Sequence, residues 1–379
     1  MHFYTLKHKR IYWLAIIVAL LSVLLFGGYK FLHLYLTKIY KHHVLYMRSG
    51  LGNQMFEYAW ALAMKKETGK DVLLDTNFYK KTNALHEKLF LKHYNVDNIF
   101  FDSAIRHFFE KKFLKKNIDD IVVSSPFDYN RGLSGKMQKG VFVMKQTFQN
   151  YKWFDKYRDE VITHFQLKTP LDKKNKEMLK EIKKYKNSVS LHIRRGDYHE
   201  WGLPILSSKY FETAMKEFFD GKYDVHYFIF TNDAEWVKKN IKFNRPYTIV
   251  GINDALHPYY DIYLMSQCKH NIIANSSFSW WGAYLNQNKG KIVVAPRLWV
   301  DNISSDWLCP PDWKFVYTDG FYIGDERPTV RMLTRKYKHK KYNNNHSGSY
   351  NKIVNPQQYY SQKYFDDILS DTEKKTISK

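Results

Sequence analysis

A histidine, two arginines, a glycine, an aspartate and a tyrosine stand together at His192-Ile193-Arg194-Arg195-Gly196-Asp197-Tyr198. The run before them, Ser188-Val189-Ser190-Leu191, reads as a buried strand, so two guanidiniums sit at a strand end. Guanidinium forks match phosphate oxygens bidentately, and Gly196 permits a tight turn or a close approach of backbone to a ligand. The chemistry indicated is capture of an anion. An ion pair between Arg195 and Asp197 at the strand exit suits the same residues. Two further loops carry matching chemistry, Thr231-Asn232-Asp233 and Asn275-Ser276-Ser277. Taken singly, each reads as well as a helix cap.

The elements that must position these loops form a regular series. Strands are expected at 188–193, 225–231, 247–250, 271–274 and 291–295, with helices at 208–219, 233–240, 259–268 and 278–286 between them. Such alternation means a parallel, doubly wound sheet, and the carboxyl ends of its strands would bring the three loops together as a nucleotide site requires. An earlier βαβ unit opens at a strand over 44–47. Its loop, Arg48-Ser49-Gly50-Leu51-Gly52, leads into a helix over 53–64 and a strand over 72–74. Glycines there allow close backbone approach to a ligand, though tight turns of this kind are common without one. The middle of the chain shows a strand at 141–144 and helical stretches at 156–165 and 173–184, but no chemical constellation. Pro170 and the helix start after it approach a domain boundary.

The chain of 379 residues has room for two domains plus tails, and its 17% aromatic content supplies real cores. The formal charge of +23 suits acidic partners, yet the lysines are scattered as on a solvated surface. Cys268 and Cys309 are the two cysteines, which excludes a disulfide scaffold and offers no zinc spacing. Residues 11–29 form an almost unbroken apolar stretch flanked by Lys7, Lys9, Arg10 and Lys30, long enough for a single membrane anchor. The basic cluster ahead of it favours a cytoplasmic N-terminus, with the body facing the Golgi lumen if the cell is eukaryotic. The expected organisation is tail, anchor and stem over 1–43, an acceptor-side domain over 44–186, a donor-binding domain over 187–325, and a polar, loosely ordered tail over 326–379.

Four blocks in order give the chain a resemblance to the α-1,2-fucosyltransferase family, especially its compact bacterial and viral-type members. They are Gly50-Leu51-Gly52-Asn53-Gln54-Met55-Phe56, then His192 to Tyr198, then Phe230-Thr231-Asn232-Asp233-Ala234-Glu235-Trp236, then Asn275-Ser276-Ser277-Phe278-Ser279-Trp280-Trp281-Gly282-Ala283-Tyr284-Leu285. The likeness spans residues 44–318 and leaves out the anchor and the tail. It implies an α/β fold of GT-B type with two Rossmann-like domains. It also implies GDP-fucose as donor, transfer with inversion to the 2-hydroxyl of a terminal galactose-like glycan, and no cofactor or essential metal. The chain lacks the Asp-x-Asp pair that would bridge a metal to a diphosphate.

By the same resemblance Arg194 meets the β-phosphate, His192 the nucleoside, Asp261 the guanine edge, and Ser276 and Ser277 the phosphates. Arg195 joins the donor-binding set, although strand alternation turns it to the opposite face, where a structural role also suits it. Asn53 and Gln54 reach across the cleft toward fucose or acceptor; Asn53 could instead cap its helix. Asp197, His199 and Glu200 are the candidates to take the acceptor proton, Asp197 within the motif and suited also to bracing Arg194, and the departing phosphate is a further acceptor for that proton. The alternative readings are a fucosyltransferase of another linkage or of protein hydroxyls, and a membrane-anchored, non-catalytic binder of RNA or another polyanion. On the main reading the partners are GDP-fucose, a galactose-terminated glycan and the bilayer through residues 11–29, with no nucleic acid.

Overall fold

The structure is a computed structural model that describes residues 22, 27–28, 42–97, 99–101, 129, 134–135, 137, 143–144, 146–196, 198, 204–300, 303–305 and 308–316. The expected anchor over 11–29 therefore lies outside the described residues except for Ser22, Gly27 and Gly28, and the tail over 326–379 lies wholly outside them. No helix among the described residues is long and apolar enough to cross a membrane.

Two parallel sheets form the α/β body. The first has the order β3-β2-β1-β4, from β1 (His43–Tyr46), β2 (Val72–Asp75), β3 (Phe100–Phe101) and β4 (Val143–Met144). The second comprises β5 (Ser188–Ile193), β6 (His226–Thr231), β7 (Tyr247–Ile249), β8 (His270–Ile272), β9 (Val293–Pro296) and β10 (Lys314–Val316), in the order β10-β9-β8-β5-β6-β7. The chain leaves β5 toward β6 and β7 on one side and returns to β8 and β9 on the other. The strand order thus reverses between β5 and β8, and a ligand crevice opens at such a switch point.

The helices that frame the two sheets among the described residues are α1 (Leu51–Thr68), α2 (Arg158–His164), α3 (Lys173–Lys184), α4 (Ser208–Phe218), α5 (Ala234–Asn240), α6 (Pro258–Gln267) and α7 (Ser277–Tyr284), with a further short helical turn at Asn77–Lys81. The expected helical stretch at 156–165 is shorter, two 3-10 turns leading into α2. Strands β3 and β10 go unpredicted because two or three residues carry no readable alternation. Helix α3, which a boundary after residue 186 leaves with the first domain, packs on α6 of the second half.

Helices α1 and α7 explain how the halves are joined. An ordinary surface helix shows one apolar stripe, whereas α1 is buried from Leu51 to Met64 except at Asn53, and α7 is buried from Ser279 to Tyr284. Each is covered on both sides because they pack on one another. Phe56 meets the rings of Trp280 and Trp281 at centroid distances of 4.6 and 5.0 Å, and Phe154 stacks on Trp281 at 5.5 Å. Trp281 Nε1 donates to the Gly52 carbonyl at 3.0 Å. A Cβ on Gly52 would lie 2.6 Å from the Phe278 amide nitrogen, so the close helix crossing demands glycine there. Gly52, expected in a ligand-facing loop, is instead a packing residue.

Candidate active site at the strand switch point

Strand alternation sorts the first loop. Val189, Leu191 and Ile193 face one buried cluster with α4, while His192 lies on the opposite face, its ring 5.6 Å from that of Phe278 on α7. Just past the end of β5 at Ile193, the Arg194 guanidinium lies 5.8 Å from the Tyr198 ring centroid, within cation–π range. Tyr198 in turn donates its hydroxyl to the Asn275 carbonyl at 3.2 Å, which ties the first loop to the third. Sequence reading gave Tyr198 no role, though its place in the block was the available signal.

Arg195 turns inward. Its side chain is 5% exposed, its Nε lies 3.5 Å from Asp233 Oδ2, and its guanidinium stacks 3.8 Å over the Trp236 ring of α5. The expected pair with Asp197 is not described, because Asp197, His199 and Glu200 lie outside the described residues. Asn232 braces the turn, its Oδ1 accepting from the Arg195 amide at 2.9 Å. A Cβ on Gly196 would run into Asn232 Nδ2, so a side chain there would push this brace aside. Asp233 caps α5 by accepting from the Trp236 amide at 3.1 Å.

The third loop faces the first across the β5–β8 crevice. Asn275 is buried and donates to the Pro204 carbonyl at 3.0 Å, and Ser276 is the N-cap of α7, its Oγ accepting from the Phe278 amide at 3.4 Å. Ser277 opens the helix, and the Phe278 amide next to it is taken up by the Ser276 cap and lies against Gly52. The far end of α7 is held by cations. Arg158 donates to the Tyr284 carbonyl at 3.1 Å and Lys291 to those of Ala283 and Asn286 at 2.9 and 2.6 Å. Burial pushes the Lys291 ammonium down to about 8.

His192 is 4% exposed, and burial, reinforced by the charge of Arg194, pushes its imidazole down to about 3. It is therefore neutral at working pH, and Nδ1 is buried without a hydrogen-bond partner. Asp261 stands in the first turn of α6, where Asn253 Nδ2 donates to its Oδ1 at 2.7 Å. Burial pushes this carboxyl up to about 7, a shift the Asn253 hydrogen bond opposes.

The residues expected across the cleft fare differently. Gln54 is fully buried: its Nε2 donates to the carbonyls of Ser49 and Lys88 at 3.1 and 2.7 Å, and its Oε1 accepts from the Phe90 amide at 3.0 Å. It stitches two loops together and has nothing left to offer fucose or acceptor, which corrects the expected role. Asn53 does not cap α1, whose N-cap is Gly50, and its Oδ1 accepts from Gln149 at 2.6 Å. Gln149 follows Phe148, a non-glycine residue at φ 48° whose ring stacks on Trp60 at 3.8 Å. That left-handed kink delivers Gln149 to Asn53, and nothing local in the sequence announces it.

A family model described as glycosyl transferase family 11 matches residues 34–315. An alpha-1,2-colitosyltransferase from Escherichia coli is 32% identical over 284 residues, covering 70% of this chain and 96% of that protein. The O-antigen biosynthesis glycosyltransferase WbnK of Escherichia coli is 30% identical over 297 residues, covering 70% and 98%. The human galactoside alpha-(1,2)-fucosyltransferase 1 is 28% identical over 149 residues, covering 36% of this chain and 40% of that enzyme.

Proposed function

We propose that this chain, which belongs to glycosyl transferase family 11, moves fucose from GDP-fucose to the 2-hydroxyl of a terminal galactose-like acceptor with inversion. The observation that carries the reading is the linkage at the exit of β5, where the Arg194 guanidinium lies against Tyr198, whose hydroxyl donates to the Asn275 carbonyl just ahead of α7. As the fucosyl carbon becomes oxocarbenium-like, negative charge grows on the β-phosphate. A guanidinium held there beside Tyr198 interacts more strongly with the transition state than with bound donor.

In this reading neutral His192 takes the nucleoside, ionised Asp261 accepts from the guanine edge, and Ser276 and Ser277 bind phosphate oxygens. Arg195 serves by position, locking the turn through Asp233 and Trp236. Asn53, held by Gln149, is the acceptor-side contact. Asp197 takes the acceptor proton or braces Arg194. The two sheets correspond to the two domains of a GT-B enzyme, charge on the leaving diphosphate is met without metal or cofactor, and residues 11–29 anchor the chain in a membrane. The 32% identical relative favours a second donor, a colitosyl nucleotide, whose sugar lacks the 3-hydroxyl of fucose.

GDP release in the presence of lactose and a chelator tests donor and metal together. Release that depends on both GDP-fucose and lactose and ignores the chelator is expected. Release only with added divalent cation would overturn the metal-free mechanism, and a higher kcat/KM for GDP-colitose would favour the second donor.

A further inference from the structure

Asp261 reads a base only if its carboxylate plane is fixed, since guanine presents N1–H and the 2-amino group side by side. A carboxylate in the first turn of a helix does not hold such a direction unaided. Here Asn253 Nδ2 donates to Asp261 Oδ1 at 2.7 Å. Asn253 is itself locked by a reciprocal amide pair with Asn175, whose Nδ2 donates to Asn253 Oδ1 at 2.8 Å and whose Oδ1 accepts from Asn253 Nδ2 at 3.0 Å. Asn175 is completely buried, and its backbone and side-chain nitrogens both donate to Asp172 Oδ1 at 2.9 Å, the N-cap of α3. Flipping either amide would set oxygen against oxygen, so the pair has one stable orientation.

We infer that Asn253 and Asn175 are positioning residues for nucleobase specificity, an amide relay that references the Asp261 carboxylate to the start of α3 and leaves its Oδ2 directed at guanine. The inference rests on the proposed reading of Asp261 as the guanine contact. The two inner members of the relay come from different elements, the loop after β7 and the first turn of α3. Both hydrogens of each amide are used inside it. Satisfied donors and acceptors in this arrangement stiffen a site, because leaving one buried partner alone is costly. The specificity-setting acid is thereby tied to the segment that leads from the first half into β5.

Binding of GDP and of inosine diphosphate, which lacks the 2-amino group, is measured for the wild type, Asn253→Ala, Asn175→Ala and Asp261→Asn, with donor KM and kcat alongside. Both asparagine variants are expected to lose about tenfold in GDP affinity with little change for inosine diphosphate, and to raise donor KM while kcat at saturation stays near wild type. Unchanged GDP preference in folded Asn253→Ala, with that preference lost in Asp261→Asn, would overturn the relay and leave the guanine contact standing. Unchanged preference in Asp261→Asn would remove the guanine contact itself. Asn253 is only partly buried, so its variant decides the matter even if Asn175→Ala does not fold.

Discussion

A guanidinium accelerates transfer only if its charge is needed more in the transition state than in the ground state, and this sets the test for Arg194. Arg194→Ala is expected to lower kcat by about 10²–10³-fold with acceptor KM within a few-fold, as for loss of a preorganised charge-stabilising donor. Steady-state kinetics check this, and a loss confined to acceptor KM would remove Arg194 from the leaving group. Asp261 gives a pH prediction with a definite sign. Guanine's N–H groups pair with carboxylate, and the free group titrates at about 7, so GDP affinity should be constant above that pH and fall as pH drops through it. Calorimetric titration across pH 5.5–8.5, with Asp261→Asn as the flat control, reads this out; a wild-type profile parallel to the control would contradict it. Glu57 tests the same logic for stability. Burial pushes this carboxyl well above its usual range, and the nearby Arg48 backbone and charge offset only part of that. An acid with a raised folded pKa contributes stability that is full below the unfolded pKa and lost as pH rises through the folded one. Glu57→Gln should therefore gain in Tm relative to wild type as pH climbs from 5 to 8, and a constant difference would show that Glu57 is ionised inside the fold.

Helices α1 and α7 decide whether the residues above meet at all. The contact of Gly52 with the start of α7 places the first block of the chain directly under the Asn275-Ser276-Ser277 loop, although more than two hundred residues separate them in sequence. Gly52→Ala should lower stability by about 1–3 kcal/mol through overpacking and weaken GDP binding in proportion, because the Ser276-Ser277 end of α7 must move. Thermal unfolding with and without GDP measures both; unchanged binding in a destabilised variant would mean the crossing only holds the fold. Strands β5 to β9 of the second sheet were legible because each is a largely apolar run closed by turn or capping residues. Strands β3 and β10 were not, being too short for a pattern. Gln54 and Asn53 were misplaced or underdetermined because their partners at Lys88, Phe90 and Gln149 are distant in sequence. The Asn175–Asn253 pair was invisible for the same reason, two ordinary loop-type residues made specific only by the fold.

Taken as a whole, the molecule places one aromatic core across both halves, from Trp60 and Phe154 through Trp281 to Trp313. Halves that share a core should unfold together, so calorimetry should show a single transition raised by GDP; two resolved transitions, one of them insensitive to GDP, would contradict a shared core. The formal charge of +23 acts at longer range, drawing in an anionic donor but contributing little once the donor is bound. Added salt should accordingly raise donor KM a few-fold while leaving kcat nearly constant, as screening shortens the reach of exposed lysines. All of these properties bear on transfer of fucose to a 2-hydroxyl at the β5–β8 crevice. The most direct measurement is linkage-resolving NMR of the product from GDP-fucose and lactose, made by the wild type and by Arg194→Ala in parallel. The wild type is expected to yield fucose linked α-1,2 to galactose, and the variant to lose that product. A different linkage, or the same yield from Arg194→Ala, would contradict this role of the crevice.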